Sequence, residues 1–229
     1  MAHLYLSDQV TGAEVGDRFL LDGDEGRHAA LVARMRVGER TAVGDGCGRI
    51  ATAEASAVSK DTVELEVLDL VETPEPRPRI TLVQALAKGG RDELAIQAAT
   101  ELGVTAVAPW QAARSVPRWE GRKAEAGSAR WAGIVREASK QAVRPWAAIG
   151  LPLLTTADVA ALAQRAPTVV LDPDAALRLV DAVPPGVEEL ERLTAAGATT
   201  ARMGSTVLRT STAGPAALAA LAIALDLWP

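Results

Sequence analysis

The chain has 229 residues, 48% hydrophobic and 23% charged, with 24 lysines and arginines against 29 acidic residues for a net charge of −5. These are ordinary values for one large globular domain or two modest ones, and they exclude a disordered or fibrous chain. No run approaches the roughly 18 apolar residues of a membrane span, the first eight residues lack a secretory pattern, and a single Cys47 excludes an internal disulfide and a cysteine-rich metal site, so a cytoplasmic protein without metal is expected.

Residues 1–72 read as a small, mostly β module, and a small β-barrel with one helix is expected. The segment Asp22 to Arg34 has the look of a short helix carrying His28, Leu31 and Val32. Asp45-Gly46, between Gly44 and Gly48, signals a hairpin joining strands Arg40–Val43 and Arg49–Ala55. Val63, Leu65 and Val67 alternate with Glu64 and Glu66, the period of a half-buried strand. Residues 73–79 form a linker, because proline at every second position from Pro74 to Pro78 fixes φ and removes backbone donors.

Residues 80–229 alternate strands with helices, which predicts an α/β domain with a mainly parallel sheet. Ile80–Leu86, Val104–Pro109 and Thr168–Leu171 have strand length. Leu94, Ala95, Ala98, Ala99 and Leu102 follow helical spacing up to a stop at Gly103. Trp131, Ile134, Val135, Ala138 and Ala142 make the apolar stripe of a second helix, Thr156 caps a third, and Leu190 and Leu193 mark a short one ended by Gly197. The last helix is expected near Thr212, with Pro215 in its first turn and only Asp226 charged before Pro229. A helix apolar nearly all round must be buried on more than one side, which predicts a homodimer through it.

Lys88-Gly89-Gly90-Arg91 opens a helix after a strand, where backbone N–H groups can hold an anion, although an ordinary turn explains it as well. Between Gln111 and Arg144, eight basic residues face three acidic ones, a local surplus of +5 that leaves −10 for the rest of the chain. Such asymmetry suits a polyanion on one face of an acidic protein; a solvated helix face is the plainer reading. Asp172 and Asp174 flank Pro173 at the end of a strand. In Met203-Gly204-Ser205-Thr206-Val207-Leu208-Arg209-Thr210-Ser211-Thr212, the glycine permits close approach, Val207 and Leu208 supply an apolar wall, and Arg209 sets a positive charge directly before the hydroxyls of Thr210, Ser211 and Thr212, which are expected to cap the last helix.

That last segment resembles the Leu-Gly-x-x-x-Leu-Arg-x-Glu-Thr-Ala signature of the SPOUT methyltransferases that modify uridine N3 in small-subunit (16S) ribosomal RNA. Further matches to the family follow in order: Ala85 to Arg91, Glu93 to Gly103, Arg114-Ser115-Val116, Trp131, Glu137 to Gln141 with Arg144, and Glu188-Glu189-Leu190. The N-terminal module is similar to the family's PUA-like RNA-binding domain. The resemblance implies a trefoil-knotted C-terminal domain, a homodimer, and methyl transfer from S-adenosyl-L-methionine to RNA. It places the cofactor at Leu171, Asp172, Gly186, Met203, Gly204, Ser205, Val207, Leu208, Thr210 and Thr212, and makes Arg209 the candidate catalytic residue. Arg27, Arg34, Arg36, Lys88, Arg91, Arg114 and Arg144 become the expected RNA contacts.

Two departures stand out. Ser211 occupies a position where many relatives have Glu. The family's Gly-Pro-Glu-Gly-Gly loop, with the strand before it, has only Val183-Pro184-Pro185-Gly186 as a counterpart. A parallel sheet without an inner strand would leave backbone groups unpaired, which points to a segment omitted between Asp181 and Val187. Two other functions stay open: a non-catalytic RNA binder on the same fold, and an enzyme for a small phosphorylated metabolite using Lys88 to Arg91.

Overall fold

The computed structural model describes residues 4–179, 195–204, 206–225 and 227. The chain divides into two compact units, Met1–Pro78 with Ser139–Ala147, and Arg79–Ala138 with Ala148–Pro229. The first boundary falls within the proline-rich stretch. The inclusion of 139–147 in the first unit is a feature that the local sequence does not announce.

The first unit is a five-stranded sheet in the order β1 (Leu4–Leu6), β3 (Arg40–Gly44), β4 (Arg49–Val58), β5 (Val63–Glu72), β2 (Arg18–Leu21). β1 lies parallel to β3 and the other pairings are antiparallel. Val63, Leu65 and Val67 turn inward and are fully buried with Tyr5, Leu21 and Val43, as the alternation predicts. The outward residues pair across strands: Arg18 with Glu66 at 2.6 Å and Arg40 with Glu54 at 3.1 Å. The helix expected over Asp22 to Arg34 is shorter and irregular, with α1 at Gly23–Arg27 followed by a wide π-helical turn at His28–Val32. Leu31 and Val32 are 54% and 71% exposed and so are not core residues; the extra residue in the turn rotates them off the buried face.

The glycine-rich hairpin between β3 and β4 does more than reverse the chain. Asp45 Oδ1 accepts hydrogen bonds from Cys47 N (2.7 Å) and Arg49 N (3.0 Å). Residues 145–147 dock on the same turn: Gly48 N donates to the Pro145 carbonyl and Ala147 N to the Gly46 carbonyl. Gly48 has φ +109°, and a Cβ there would lie 2.8 Å from Trp146 Nε1, so glycine alone fits beneath the indole. Trp146 Nε1 in turn donates to the Thr73 carbonyl at 2.8 Å. The long helix α3 (Arg122–Gln141) ends just before this segment. Its C-terminus is closed by Arg144 N to Ser139 O and Val143 N to Lys140 O, the two bonds of a Schellman motif, with Val143 at φ +50° where glycine is usual.

In the second unit β6 (Thr81–Ala85), β7 (Ala106–Trp110) and β8 (Ile149–Gly150) form one parallel sheet, and β9 (Val169–Leu171) and β10 (Thr199–Ala201) form another. Among the described residues the parallel strands thus lie in two sheets, not one. Helix α2 (Arg91–Glu101) connects β6 to β7 and buries Asp92, Ala95, Ile96, Ala99 and Thr100. Leu94, expected in its stripe, is 59% exposed. Ile96, Val104, Val107, Trp131, Val135 and Leu218 make the main core, with α4 (Thr156–Ala163) and Ala198 in a smaller cluster. Thr155, one residue before the expected cap, caps α4 reciprocally with Asp158.

The last helix, α5 (Thr210–Ala224), begins two residues earlier than expected, which moves Pro215 beyond the first turn. It packs on α2 and β6. Gly214 makes this approach possible, because a Cβ there would stand 3.0 Å from the Leu82 side chain. Ile223, by contrast, is 71% exposed. The expected short helix around Leu190 and Leu193, the segment Val183 to Val187, and Trp228 lie outside the described residues.

Candidate functional site

The carboxyl ends of parallel strands, followed by helix N-termini, are where α/β folds collect ligands. In the second unit this edge holds the two segments singled out in the sequence. After β9, Asp172 N donates to the Ala201 carbonyl of β10, and Asp172 Oδ1 accepts from Asp174 N at 3.0 Å. Asp172 is therefore engaged in a local turn beside Leu171. The chain beyond β10 runs Met203, Gly204, Thr206, Val207, Leu208 and Arg209 into α5. Gly204 is exposed, with nothing within 4 Å of where a Cβ would stand. Val207 is 80% exposed and Leu208 half-buried, so the expected apolar wall is open on this side.

Arg209 is exposed and is the N-cap residue of α5, with φ −68° and ψ 152°. Its carbonyl accepts from Thr212 N and Ala213 N. The expectation that the hydroxyls of Thr210 to Thr212 cap the helix is corrected here. No side chain caps α5, and Thr210 and Thr212 are exposed within the helix. Gly186 and Ser205 lie outside the described residues.

On the same unit, Lys88 is exposed on the loop from β6 to α2, and Arg91 is exposed as the first residue of α2. Gly89 and Gly90 hold positive φ angles of 68° and 70° in that loop. Asp92, buried and unmarked by the sequence reading, fixes the loop by accepting from Ala87 N (3.1 Å) and Glu93 N (3.0 Å). Arg114 is exposed on the loop after β7.

The basic cluster between Gln111 and Arg144 resolves into several tasks. Arg130 forms a two-pronged ion pair with Glu93, Nε to Oε1 at 2.6 Å and Nη2 to Oε2 at 2.7 Å. That carboxylate raises the Arg130 pKa above the ordinary arginine value. Arg118 bonds to its own loop backbone. Lys140 is buried in the first unit, 3.0 Å from Glu25. Arg144 is half-buried there, and burial lowers its pKa. The cluster is thus not one continuous cationic face. On the first unit Arg27 pairs with Asp24, while Arg34, at φ +55°, and Arg36 are exposed near Leu31, Val32 and Val37 in sequence. Among the described residues no group of three His, Cys, Asp or Glu is placed to hold a metal ion.

Residues 73–184 match the RNA methyltransferase domain family, and residues 21–68 match the RNA methyltransferase PUA domain family. The chain is 38% identical over 235 aligned positions to ribosomal RNA small subunit methyltransferase E of Mycobacterium bovis, covering 94% of this chain and 90% of that protein. It is 35% identical over 132 positions to the protein of that name from Bacillus subtilis, covering 57% of this chain and 52% of that one. The crystal structure of ribosomal RNA small subunit methyltransferase E from Neisseria gonorrhoeae, bound to S-adenosyl methionine, superposes with a TM-score of 0.85 at 27% identity, covering 100% of this chain and 98% of that one.

Proposed function

The chain belongs to the ribosomal RNA small subunit methyltransferase E family, and from that premise we propose that it methylates N3 of a uridine in small-subunit (16S) ribosomal RNA, with S-adenosyl-L-methionine as methyl donor. The observation that carries the reading is the segment Met203–Arg209, which leaves the carboxyl end of a parallel strand and enters a helix without a side-chain cap.

The residues present fit the cofactor. Gly204 offers open backbone, Val207 and Leu208 present apolar surface, and Leu171 with Asp172 closes the neighbouring strand end. With Met203, Ser205, Thr210, Thr212 and Gly186 they form the proposed pocket; the knotted path of the chain around it belongs to the same proposal. Bound there, S-adenosyl-L-methionine supplies a methyl group on an electrophilic sulfonium.

The protein's own work is placement and charge. Uridine N3 becomes a stronger nucleophile as its proton leaves, and the negative charge spreads onto the flanking carbonyl oxygens. Arg209 carries a planar guanidinium with two donor edges for that anion. On the second unit, Lys88, Arg91 and Arg114 would contact phosphates. On the first, Arg27, Arg34 and Arg36 would do so beside exposed Leu31 and Val32, with Arg144 the least accessible member of the set. The outward Ile223 face of α5 is the proposed homodimer contact, in the cytoplasm.

The test incubates the purified protein with S-adenosyl-L-methionine and small ribosomal subunits from a strain lacking this methyl group, then identifies modified nucleosides by mass spectrometry. N3-methyluridine is the expected product. Absence of transfer, or a methyl at another atom, refutes the assignment. Arg209→Lys should lower turnover far more than cofactor affinity.

A further inference from the structure

Arg118 lies in the stretch 111–121, which joins β7 to α3 without a strand or helix of its own. Such a stretch would be expected to be conformationally free, since fixing each backbone residue costs about 1–2 kcal/mol of entropy. Instead it is fastened at several points within the second unit. Gln111 N donates to the Leu154 carbonyl, and Gln111 Oε1 accepts from Trp119 N at 2.7 Å. The Trp119 ring lies against the backbone of α3 at Gly127, where a Cβ would fall 2.7 Å from the indole. It also meets buried Trp131 edge-on, with ring centroids 5.7 Å apart.

The remaining fastening is Arg118 itself. Its Nη1 donates to the Ala112 carbonyl at 2.9 Å and its Nη2 to the Ala113 carbonyl at 2.8 Å. The Ala112 carbonyl also accepts from Ser115 N at 3.0 Å, closing a turn over residues 112–115. Arg114 is exposed on that turn, next to the residue whose carbonyl the guanidinium holds. An exposed arginine in an acidic protein gains more Coulomb energy from a carboxylate than from neutral carbonyls, so this use of its fork serves shape rather than charge pairing.

We propose that Arg118 is a positioning residue for RNA binding: its guanidinium bridges the Ala112 and Ala113 carbonyls and so presents Arg114 in one fixed conformation to a phosphate of the RNA. The inference rests on the reading of this chain as an RNA methyltransferase and assigns Arg118 a role distinct from that of Arg114. A loop ordered in advance avoids the ordering cost at the moment of binding. Arg114 would supply the counterion-releasing contact, whereas Arg118, occupied by its own backbone, would supply none.

The test compares wild type with Arg118→Ala, Arg118→Lys and Arg114→Ala. Affinity for a labelled small-subunit ribosomal RNA transcript is measured across a salt series, with S-adenosyl-L-methionine affinity and amide hydrogen exchange measured alongside. Arg118→Ala should weaken RNA binding about tenfold through lost preorganisation, raise the KM for RNA with kcat unchanged, and speed exchange at Ser115. Its slope of log affinity against log salt should match wild type. Arg114→Ala should instead flatten that slope by about 0.7–0.9. Arg118→Lys, which cannot bridge both carbonyls, should recover only part of the affinity.

A flattened slope in Arg118→Ala would make the residue a phosphate contact and overturn the proposal. Full recovery by lysine, or unchanged exchange at Ser115, would also overturn it. Absence of saturable RNA binding by wild type would instead bring down the RNA reading, and this inference with it.

Discussion

Lys140 offers the sharpest test of how the basic residues are divided. By sequence it belongs to the +5 stretch; in the structure its side chain is 8% exposed and its Nζ sits 3.0 Å from Glu25 Oε1, itself 10% exposed. At an effective dielectric of about 20, unit charges at 3.0 Å attract by about 5.5 kcal/mol, against which stands the desolvation of both groups. Lys140→Met keeps the aliphatic stem and removes the charge, leaving the Glu25 carboxylate buried without this cation. The same carboxylate adds to the effect of burial in raising the Tyr5 pKa, so its field already reaches the core of this unit. Breaking a buried pair from one side costs about 3–5 kcal/mol. For a unit of this size, each kcal/mol lowers the midpoint by about 4–8 °C, so even the lower bound gives a fall of about 12–24 °C. Calorimetry should show that fall in the transition of the first unit, and Glu25→Gln combined with Lys140→Met should recover most of it. The RNA salt slope of Lys140→Met, measured below its transition, should equal that of wild type. A shift under about 4 °C, or a double variant no better than the single, would refute the argument.

Other consequences can be measured directly. Thr155→Ala removes the cap of α4 and should cost about 1 kcal/mol in chemical denaturation. Asp158 is held below the ordinary carboxylate pKa by the Thr155 hydroxyl first and the Thr155 N–H second. Its contribution is therefore complete above about pH 3.9 and fades as pH falls further toward the depressed value, a loss that Thr155→Ala should reduce. Val143 occupies the left-handed region at φ +50°, so Val143→Gly should stabilise the first unit by about 0.5–1 kcal/mol, the relief of strain outweighing the added chain entropy; an unchanged or lower midpoint would show the strain to be absent. Ile223→Glu, on the exposed side of α5, should yield monomers by sedimentation, and a wild-type monomer at micromolar concentration would dispose of the proposed dimer.

The parts of the fold that were legible are those written in local periodicity. Val63, Leu65 and Val67 announce β5 because a strand alternates its faces, and Gly103 announces the end of α2 because it takes φ +99°. β10 was not legible: Thr199–Ala201 is short and has no apolar alternation, and its position is set by pairing with β9. The docking of Pro145 to Ala147 on the Gly46–Gly48 turn joins residues about a hundred positions apart, and nothing local encodes it. Leu94 and Ala95 look alike to a helical count in an alanine-rich segment, and packing alone decides which is buried. Charge counting fails in the same way. It cannot distinguish Arg130, which meets Glu93, from Arg118, which meets carbonyls, or Lys140, which meets Glu25 in a buried pair.

At the candidate site, the residue pattern of Met203 to Thr212 was legible, but its physical arrangement was not. Three hydroxyls at a helix start suggest side-chain caps, yet the chain turns earlier and makes Arg209 the N-cap, which places those hydroxyls inside α5. The contrast with α4 is informative. That helix has a complete reciprocal cap from Thr155 and Asp158, as a helix start with only a structural duty should. Both α2 and α5 begin without any side-chain cap, one after the Lys88–Gly90 loop and the other after the Met203–Leu208 loop. In α2 the Glu93 N–H is taken by Asp92 Oδ1 and in α5 the Thr212 N–H by the Arg209 carbonyl, which leaves the earlier N–H groups of each start to water or a bound partner. A side chain capping those remaining N–H groups would compete with the proposed RNA phosphates at α2 and with the proposed cofactor at α5. The uncapped starts therefore coincide with the positions assigned to RNA and cofactor, and the capped start with neither.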